Sequence, residues 1–389
     1  MMTKVLVLRK ECFGGTLFDV ETGKRIYINH NEFNFAEKKG VLDEFLVKKS
    51  NMNGTVKIVN PSWIPSINFS APDTAFFEVT HACNLHCTHC LNSSGIKYKD
   101  ELSLENRLLL IKELALMGTQ EIRFTGGEPL VLKEIKTLLS HASSHNLRTS
   151  IGTNAILATK SKVREIAQYL DMAIISLDGM ETQHDLIRGA GTFQKAITGL
   201  KNFREKGIEI RVNAVIMKSN INEVINLAEF LSTIQVPLFI RRLIPSGRSF
   251  HMTKEMLNKK DYEDVRRKLS FLINNKGDLI QGHYINEKNI TPRISLPFNR
   301  NSCSAGHRGI VILPNGKIHI CGFIASLGMD PIGNIREEPL SLIWKRLIKS
   351  DYVDSLKEIL NNFNKHSGIL CTNCLAISLA LSGTKEVVK

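Results

Sequence analysis

An incomplete barrel of six parallel βα units is the fold class that this 389-residue sequence predicts. Three observations point to it. Between Ala75 and Arg242 a short apolar segment, a loop and an amphipathic helical pattern recur six times, as strands joined by crossover helices do. Hydrophobic content of 43% suits packed cores rather than disorder. The eight cysteines divide along the chain as one, three and four, and the three fall on the loop after the first strand of the repeat. Loops that follow parallel strands form the reactive face of such barrels.

The elements follow in order. Residues 1–60 read as a small β-rich module: KVLVLR, GGTLFDV and KRIYIN are three short strands separated by Gly14-Gly15 and the Glu21-Thr22-Gly23 turn. Helical patches over 31–49 break at Gly40, and VKIVN is a further strand. Residues 61–74 carry prolines and read as a linker. The core, 75–245, has the strands AFFEVT, EIRFTG, RTSIGT, MAIISLD, IEIRVNAVI and PLFIRRL. Residues 246–298 are charged and read as a helical connector, and 299–389 form a cysteine-rich C-terminal domain.

Composition excludes several classes. No run of about 18 apolar residues marks a membrane span, and the N-terminus lacks the apolar core of a secretory signal. A cytoplasmic protein is expected, the compartment in which thiols stay reduced. The net charge of +13 invites acidic partners, but the basic residues are spread and no aromatic-basic alternation marks a single-strand track. No basic recognition helix follows the N-terminal strands, which argues against a redox-sensing DNA-binding regulator.

Cys83, Cys87 and Cys90, spaced C-x3-C-x2-C, suit an iron–sulfur cluster with one open iron. Residue types alone leave a zinc site open as well, since His81, His86 and His89 are interleaved. One βα unit later TGGEPL places Gly126, Gly127, Glu128 and Pro129 ahead of a helix, where glycines let backbone approach a ligand. Together the two motifs resemble the radical S-adenosylmethionine (SAM) superfamily. The resemblance implies a [4Fe–4S] cluster on Cys83, Cys87 and Cys90, and SAM chelating its open iron. Gly126, Gly127 and Glu128 then lie along the SAM methionine amino group. It further implies that Asn154, Ser176 and Arg188, at or after later strand ends, lie near SAM or substrate. Arg241, Arg242 and Arg248 surround the sixth strand's end, in a loop that either holds substrate carboxylates or simply sits in solvent.

Cys303 and Cys321 flank GIVILPNGKIHI, a hairpin with a Pro-Asn-Gly turn, and Cys371 and Cys374 form a terminal C-x2-C. The pieces C-x12-G-x4-C, Gly-Asn-Ile before a Trp-bearing helix and the final C-x2-C resemble a SPASM/twitch domain. This chain carries fewer cysteines than a full SPASM domain, so the resemblance implies one auxiliary [4Fe–4S] cluster on these four. A structural zinc is the rival reading of a tetrathiolate set. The RKECFGGTLFDVETGKRIYIN run is similar to the start of ribosomal-peptide maturases, whose modules bind a leader peptide as an added strand; a purely structural module is the alternative. The whole is similar to peptide maturases that generate a 5′-deoxyadenosyl radical. The implied reaction is oxidative, a cross-link or decarboxylation, because no spare barrel cysteine is left to quench a radical. Implied partners are a short precursor peptide and a reductant such as flavodoxin or ferredoxin. Maturation of a folded protein or of a small cofactor precursor is the competing expectation.

Overall fold

The structure, a computed structural model, describes residues 5–66, 68–276, 279–282, 304–350 and 376. Cys303, Cys371 and Cys374 lie outside the described residues.

The N-terminal module is a four-stranded sheet of β1 (Val5–Glu11), β2 (Gly14–Asp19), β3 (Arg25–Ile28) and β4 (Thr55–Val59), ordered β3-β2-β1-β4. The first three strands are antiparallel neighbours, and β4 runs parallel to β1. A parallel return needs a crossover, supplied here by α1 (His30–Lys39) and α2 (Glu44–Ser50). Asn29 and Glu32 close a capping box on α1, Gly40 ends it at φ 68°, and Asp43 caps α2. Phe33 and Ala36 from α1 bury against Leu6, Leu8, Leu17 and Ile28. Full burial of the Phe33 ring contributes about 2–3 kcal/mol.

The module is docked on the barrel through Arg9, which is wholly buried. Its guanidinium donates to Glu11 Oε1 at 2.5 Å, to Asp73 Oδ1 at 2.7 Å and to the Gly118 carbonyl at 3.0 Å. Such a charge is tolerated inside only when paired and hydrogen-bonded.

The six strands of the repeat are β5 (Thr74–Thr80), β6 (Glu121–Gly126), β7 (Arg148–Thr153), β8 (Met172–Ser176), β9 (Glu209–Ile216) and β10 (Leu238–Arg242). They pair in chain order, all parallel. The intervening helices are α3 (Leu104–Met117), α4 (Ile135–Ser144), α5 (Lys160–Ile166), α6 (Glu181–Arg188), α7 (Thr192–Glu205) and α8 (Ile221–Thr233). Phe77, Phe124, Ile151, Ile175, Val212 and Ile240 face these helices and belong to one core with Leu110, Leu114, Leu138 and Leu227. Because side chains alternate along a strand, Phe76, Arg123, Ser150, Arg211, Asn213, Phe239 and Arg241 face the barrel lumen.

The sheet continues past both ends of the repeat, in the order β11-β10-β9-β8-β7-β6-β5-β12-β13-β14. The segment expected to be a helical connector holds α9 (Lys259–Lys268) and α10 (Ser270–Lys276) but also a strand, β11 (Ile280–Gly282), parallel to β10. At the other edge β12 (Gly309–Ile312) pairs parallel with β5, and the expected hairpin returns through β13 (Lys317–His319) to β14 (Gly333–Asn334). Gly316, at φ 90°, makes the turn. Short α11 (Gly322–Ser326) follows the hairpin, and α12 (Leu340–Lys349) buries Trp344, whose indole N–H donates to the Phe69 carbonyl at 3.2 Å. Among the described residues no helix is long and apolar enough to cross a membrane.

Candidate radical-generating site

The loop after β5 carries Cys83, Cys87 and Cys90, all free thiols, with Cys87 buried. The loop is irregular and is held from outside. At its base Glu101 Oε1 accepts from Thr80 Oγ1 at 2.9 Å, from the His81 amide at 2.8 Å and from the Tyr98 amide at 3.2 Å. His81 stacks on Tyr98 at 4.0 Å and spans the carbonyls of Asn92 and Ile96. The Cys83 amide donates to the Gly95 carbonyl at 2.9 Å, closing the loop on itself.

The glycines of TGGEPL serve a purpose that the motif alone did not reveal. A Cβ at Gly126 would lie 2.4 Å from the Thr80 carbonyl oxygen, and one at Gly127 only 2.1 Å from that of Ala82. The close approach is therefore to the protein's own backbone: the Gly127 amide donates to Thr80 O at 2.7 Å and the Glu128 amide to Ala82 O at 2.9 Å. The two motif loops form one unit. The Glu128 carboxylate, buried, turns away from the mouth and accepts from the amides of Leu130 (3.0 Å) and Asn154 (2.8 Å) and from Thr153 Oγ1 (2.8 Å). Burial pushes its pKa up to about 6 against those bonds. Glu128 thus fixes the end of β7, and Asn154 reaches the cysteine loop through Asn84 Oδ1 at 2.9 Å.

Arg188, at the end of α6, points into the same loop. Its Nε donates to Asp178 Oδ2 at 2.6 Å and its Nη1 lies 3.8 Å from Cys87 Sγ. Asp178, fully buried just past β8, also meets His89 Nε2 at 2.8 Å and accepts from the Val215 amide at 2.8 Å. Although burial opposes its charge, Arg188 and His89 hold the Asp178 carboxyl well below the usual range. Ser176 stands at the end of β8, and its hydroxyl makes no hydrogen bond to a described residue. The structure thus brings Glu128, Asn154 and Arg188 to the cysteine loop and leaves Ser176 facing the lumen beside them.

Arg248 differs from what its place in the sequence suggested. It donates Nε to the Cys87 carbonyl at 2.7 Å and Nη1 to the Ser94 carbonyl at 2.9 Å, so it braces the cysteine loop. Glu101 escaped notice in the sequence, His89 was read only as a possible zinc ligand, and Asp178, in ISLDG, carried a local signal. Of the distal cysteines, Cys321 is described; it stands at the N-cap of α11.

The donor set suits an iron–sulfur cluster. Three soft thiols share one braced loop, and a guanidinium beside Cys87 offsets thiolate charge.

Residues 77–231 match the radical SAM superfamily and residues 303–375 match SPASM, an iron–sulfur cluster-binding domain. The mycofactocin maturase MftC of Mycolicibacterium smegmatis is 29% identical over 65% of this chain and 65% of its own length. The matched stretch thus leaves about a third of that relative uncovered. The Fe-coproporphyrin III synthase of Methanosarcina barkeri is 26% identical over 78% of this chain and 79% of its own. In fold, the crystal structure of Streptococcus suis SuiB bound to its precursor peptide SuiA superposes with a TM-score of 0.72. It is 18% identical, covering 100% of this chain and 98% of that one. The chain thus carries a radical SAM domain over residues 77–231 and a C-terminal SPASM domain over 303–375.

Proposed function

We propose that this chain cleaves SAM reductively and oxidatively modifies a ribosomally made peptide, by cross-linking or decarboxylation. One observation carries the reading: three free thiols share a loop at the barrel mouth that the GGE segment, Arg188 and Arg248 all clamp. Cys83, Cys87 and Cys90 are the proposed cluster ligands. When bound, the cluster and SAM supply a 5′-deoxyadenosyl radical that removes hydrogen from an unactivated carbon.

The chain's own residues do the positioning. Arg188 and Ser176 are proposed to hold the SAM carboxylate, a pairing that guanidinium and hydroxyl groups suit. Gly126 and Gly127 offer backbone along the methionine amino group, while Glu128 acts by fixing Asn154. Cys303, Cys321, Cys371 and Cys374 are the proposed ligands of an auxiliary cluster, which would supply an electron sink. A flavodoxin or ferredoxin supplies the first electron. The peptide substrate is supported by the similarity to a mycofactocin maturase and to SuiB, solved with a precursor peptide. The N-terminal sheet has edge strands, β3 and β4, against which a leader is able to pair as an added strand.

A second reading, action on a cofactor precursor, is favoured by the longer match to a porphyrin synthase. Co-expression with the short peptide encoded beside the gene separates them. A loss of about 2 mass units supports cross-linking and about 46 decarboxylation. An unaltered peptide together with SAM-dependent formation of iron coproporphyrin III establishes the second reading instead.

A further inference from the structure

The lumen below the cysteine loop carries more positive charge than it balances. Arg123, Arg211 and Arg241 all project inward from β6, β9 and β10, on the strand face opposite the buried Ile122, Val212 and Ile240. Arg123 donates to Glu121 Oε1 at 2.7 Å and to Ser150 Oγ at 3.2 Å. The other carboxylate at this end, Glu209, is ion-paired with Arg148. Glu78, near the mouth, is pushed up to about 7 by burial and is a weak counter-charge at neutral pH. Among the described residues, Arg211 and Arg241 are therefore left without a carboxylate partner, and Arg211 Nε is buried with no hydrogen bond.

What holds the two guanidiniums is a ring. Phe239, between them in register on β10, lies 5.6 Å from the Arg211 guanidinium carbon and 5.4 Å from that of Arg241. Burial and repulsion from Arg123 push both arginines down to about 10, while Glu121 and Glu209 pull Arg211, and Cys321 pulls Arg241, the other way. Stacking orients a guanidinium but does not use its N–H groups. Beside them on β9, Asn213 Oδ1 is buried without a hydrogen-bond partner, an acceptor awaiting an N–H. Along β9 the inward positions are less buried than the outward ones, so this face of the lumen stays accessible. A buried guanidinium N–H and a buried amide oxygen without partners are costly, and both are relieved by one ligand that carries a carboxylate near an amide.

We propose that Arg211 and Arg241, stacked on Phe239 with Asn213 beside them, form a binding site in the lumen for a carboxylate of the peptide substrate. The site lies below the cysteine loop, so it would anchor the substrate with its carboxylate end innermost. This deepens the proposed function and rests on it for the peptide.

The test uses the full reconstituted chain and small probes, read by calorimetric titration. N-acetylglycine, with an amide and a terminal carboxylate, is expected to bind, and N-acetylglycinamide is not. N-acetylaspartamide separates a side-chain carboxylate from a terminal one: whichever of the two acids binds more tightly names the source. R211M and R241M are each expected to weaken the preferred acid at least tenfold, and R241K to recover part of the loss. Should a variant fold poorly, arginine-selective labelling of the unmutated chain gives the same answer, with the bound acid slowing modification of Arg211 and Arg241 over exposed arginines. Equal binding of acid and amide, unaltered affinity in both variants, or no selective protection overturns the proposal. Probe binding needs no turnover. A chain that binds the acids but does not cleave SAM removes the proposed function alone, and the reverse removes this inference alone.

Discussion

Replacing Asp178 with Asn probes the hub that ties the cysteine loop to the barrel. The Asp178 carboxylate is fully buried and serves Arg188, His89 and the Val215 amide at 2.6, 2.8 and 2.8 Å. Asn keeps the shape and an acceptor but removes the charge that compensates the Arg188 guanidinium. Leaving one member of a buried pair uncompensated costs about 3–5 kcal/mol. For a domain of this size that is a fall in Tm of roughly 6–20 °C. The double variant D178N/R188M removes both charges, and swapping a whole buried pair for uncharged groups is often close to neutral. The double variant is therefore expected to recover at least half of the lost stability, read as denaturant midpoint in parallel samples. A D178N loss below about 1 kcal/mol, or a double variant no more stable than the single, refutes the argument that Asp178 acts as a buried counter-charge.

Two further outcomes follow from the same geometry. Gly127→Ala places a methyl 2.1 Å from the Ala82 carbonyl oxygen, so the two motif loops must part. A loss of about 1–3 kcal/mol is expected, with reduced iron incorporation on reconstitution measured by colorimetric iron assay. His184, facing Asp178, Asp185, Arg188 and His89, is pushed down to about 4, first by burial and then by Arg188. Its unfolded imidazole takes a proton near pH 6.5 and the folded one only near 4, so between those values the unfolded chain binds more protons. The stability this position supports is present above pH 6.5 and is lost as pH falls towards 4, about 2 kcal/mol of it by pH 5. His184→Gln is expected to flatten that part of the pH dependence in denaturant titrations at pH 7 and pH 5.

What was legible in the sequence was what is local. The cysteine triplet and TGGEPL each sit within a few consecutive residues, and IEIRVNAVI alternates so regularly that its strand and its two faces are read directly. Long-range pairings left no such mark. β11 is three residues long, and β12 joins β5 from more than 200 residues away, so neither edge of the ten-stranded sheet was foreseen. Glu128 belongs to the motif, yet its carboxylate faces inward to bonds that only the folded β7 supplies. Arg248 was read as free for substrate because nothing in IPSGR announces two carbonyls of a loop 154 to 161 residues earlier. Arg211 lay unmarked as the polar member of an alternating strand, and only the folded sheet sets it, like Arg241, against the Phe239 ring.

The central claim is that the loop of Cys83, Cys87 and Cys90 holds the radical-generating cluster. Anaerobic reconstitution with iron and sulfide tests it most directly, comparing the unmutated chain with a variant carrying alanine at all three positions. The account predicts about eight irons per chain for the first and about four for the second. Reductant-dependent release of 5′-deoxyadenosine from SAM is predicted for the unmutated chain alone. A triple variant that still cleaves SAM contradicts the account.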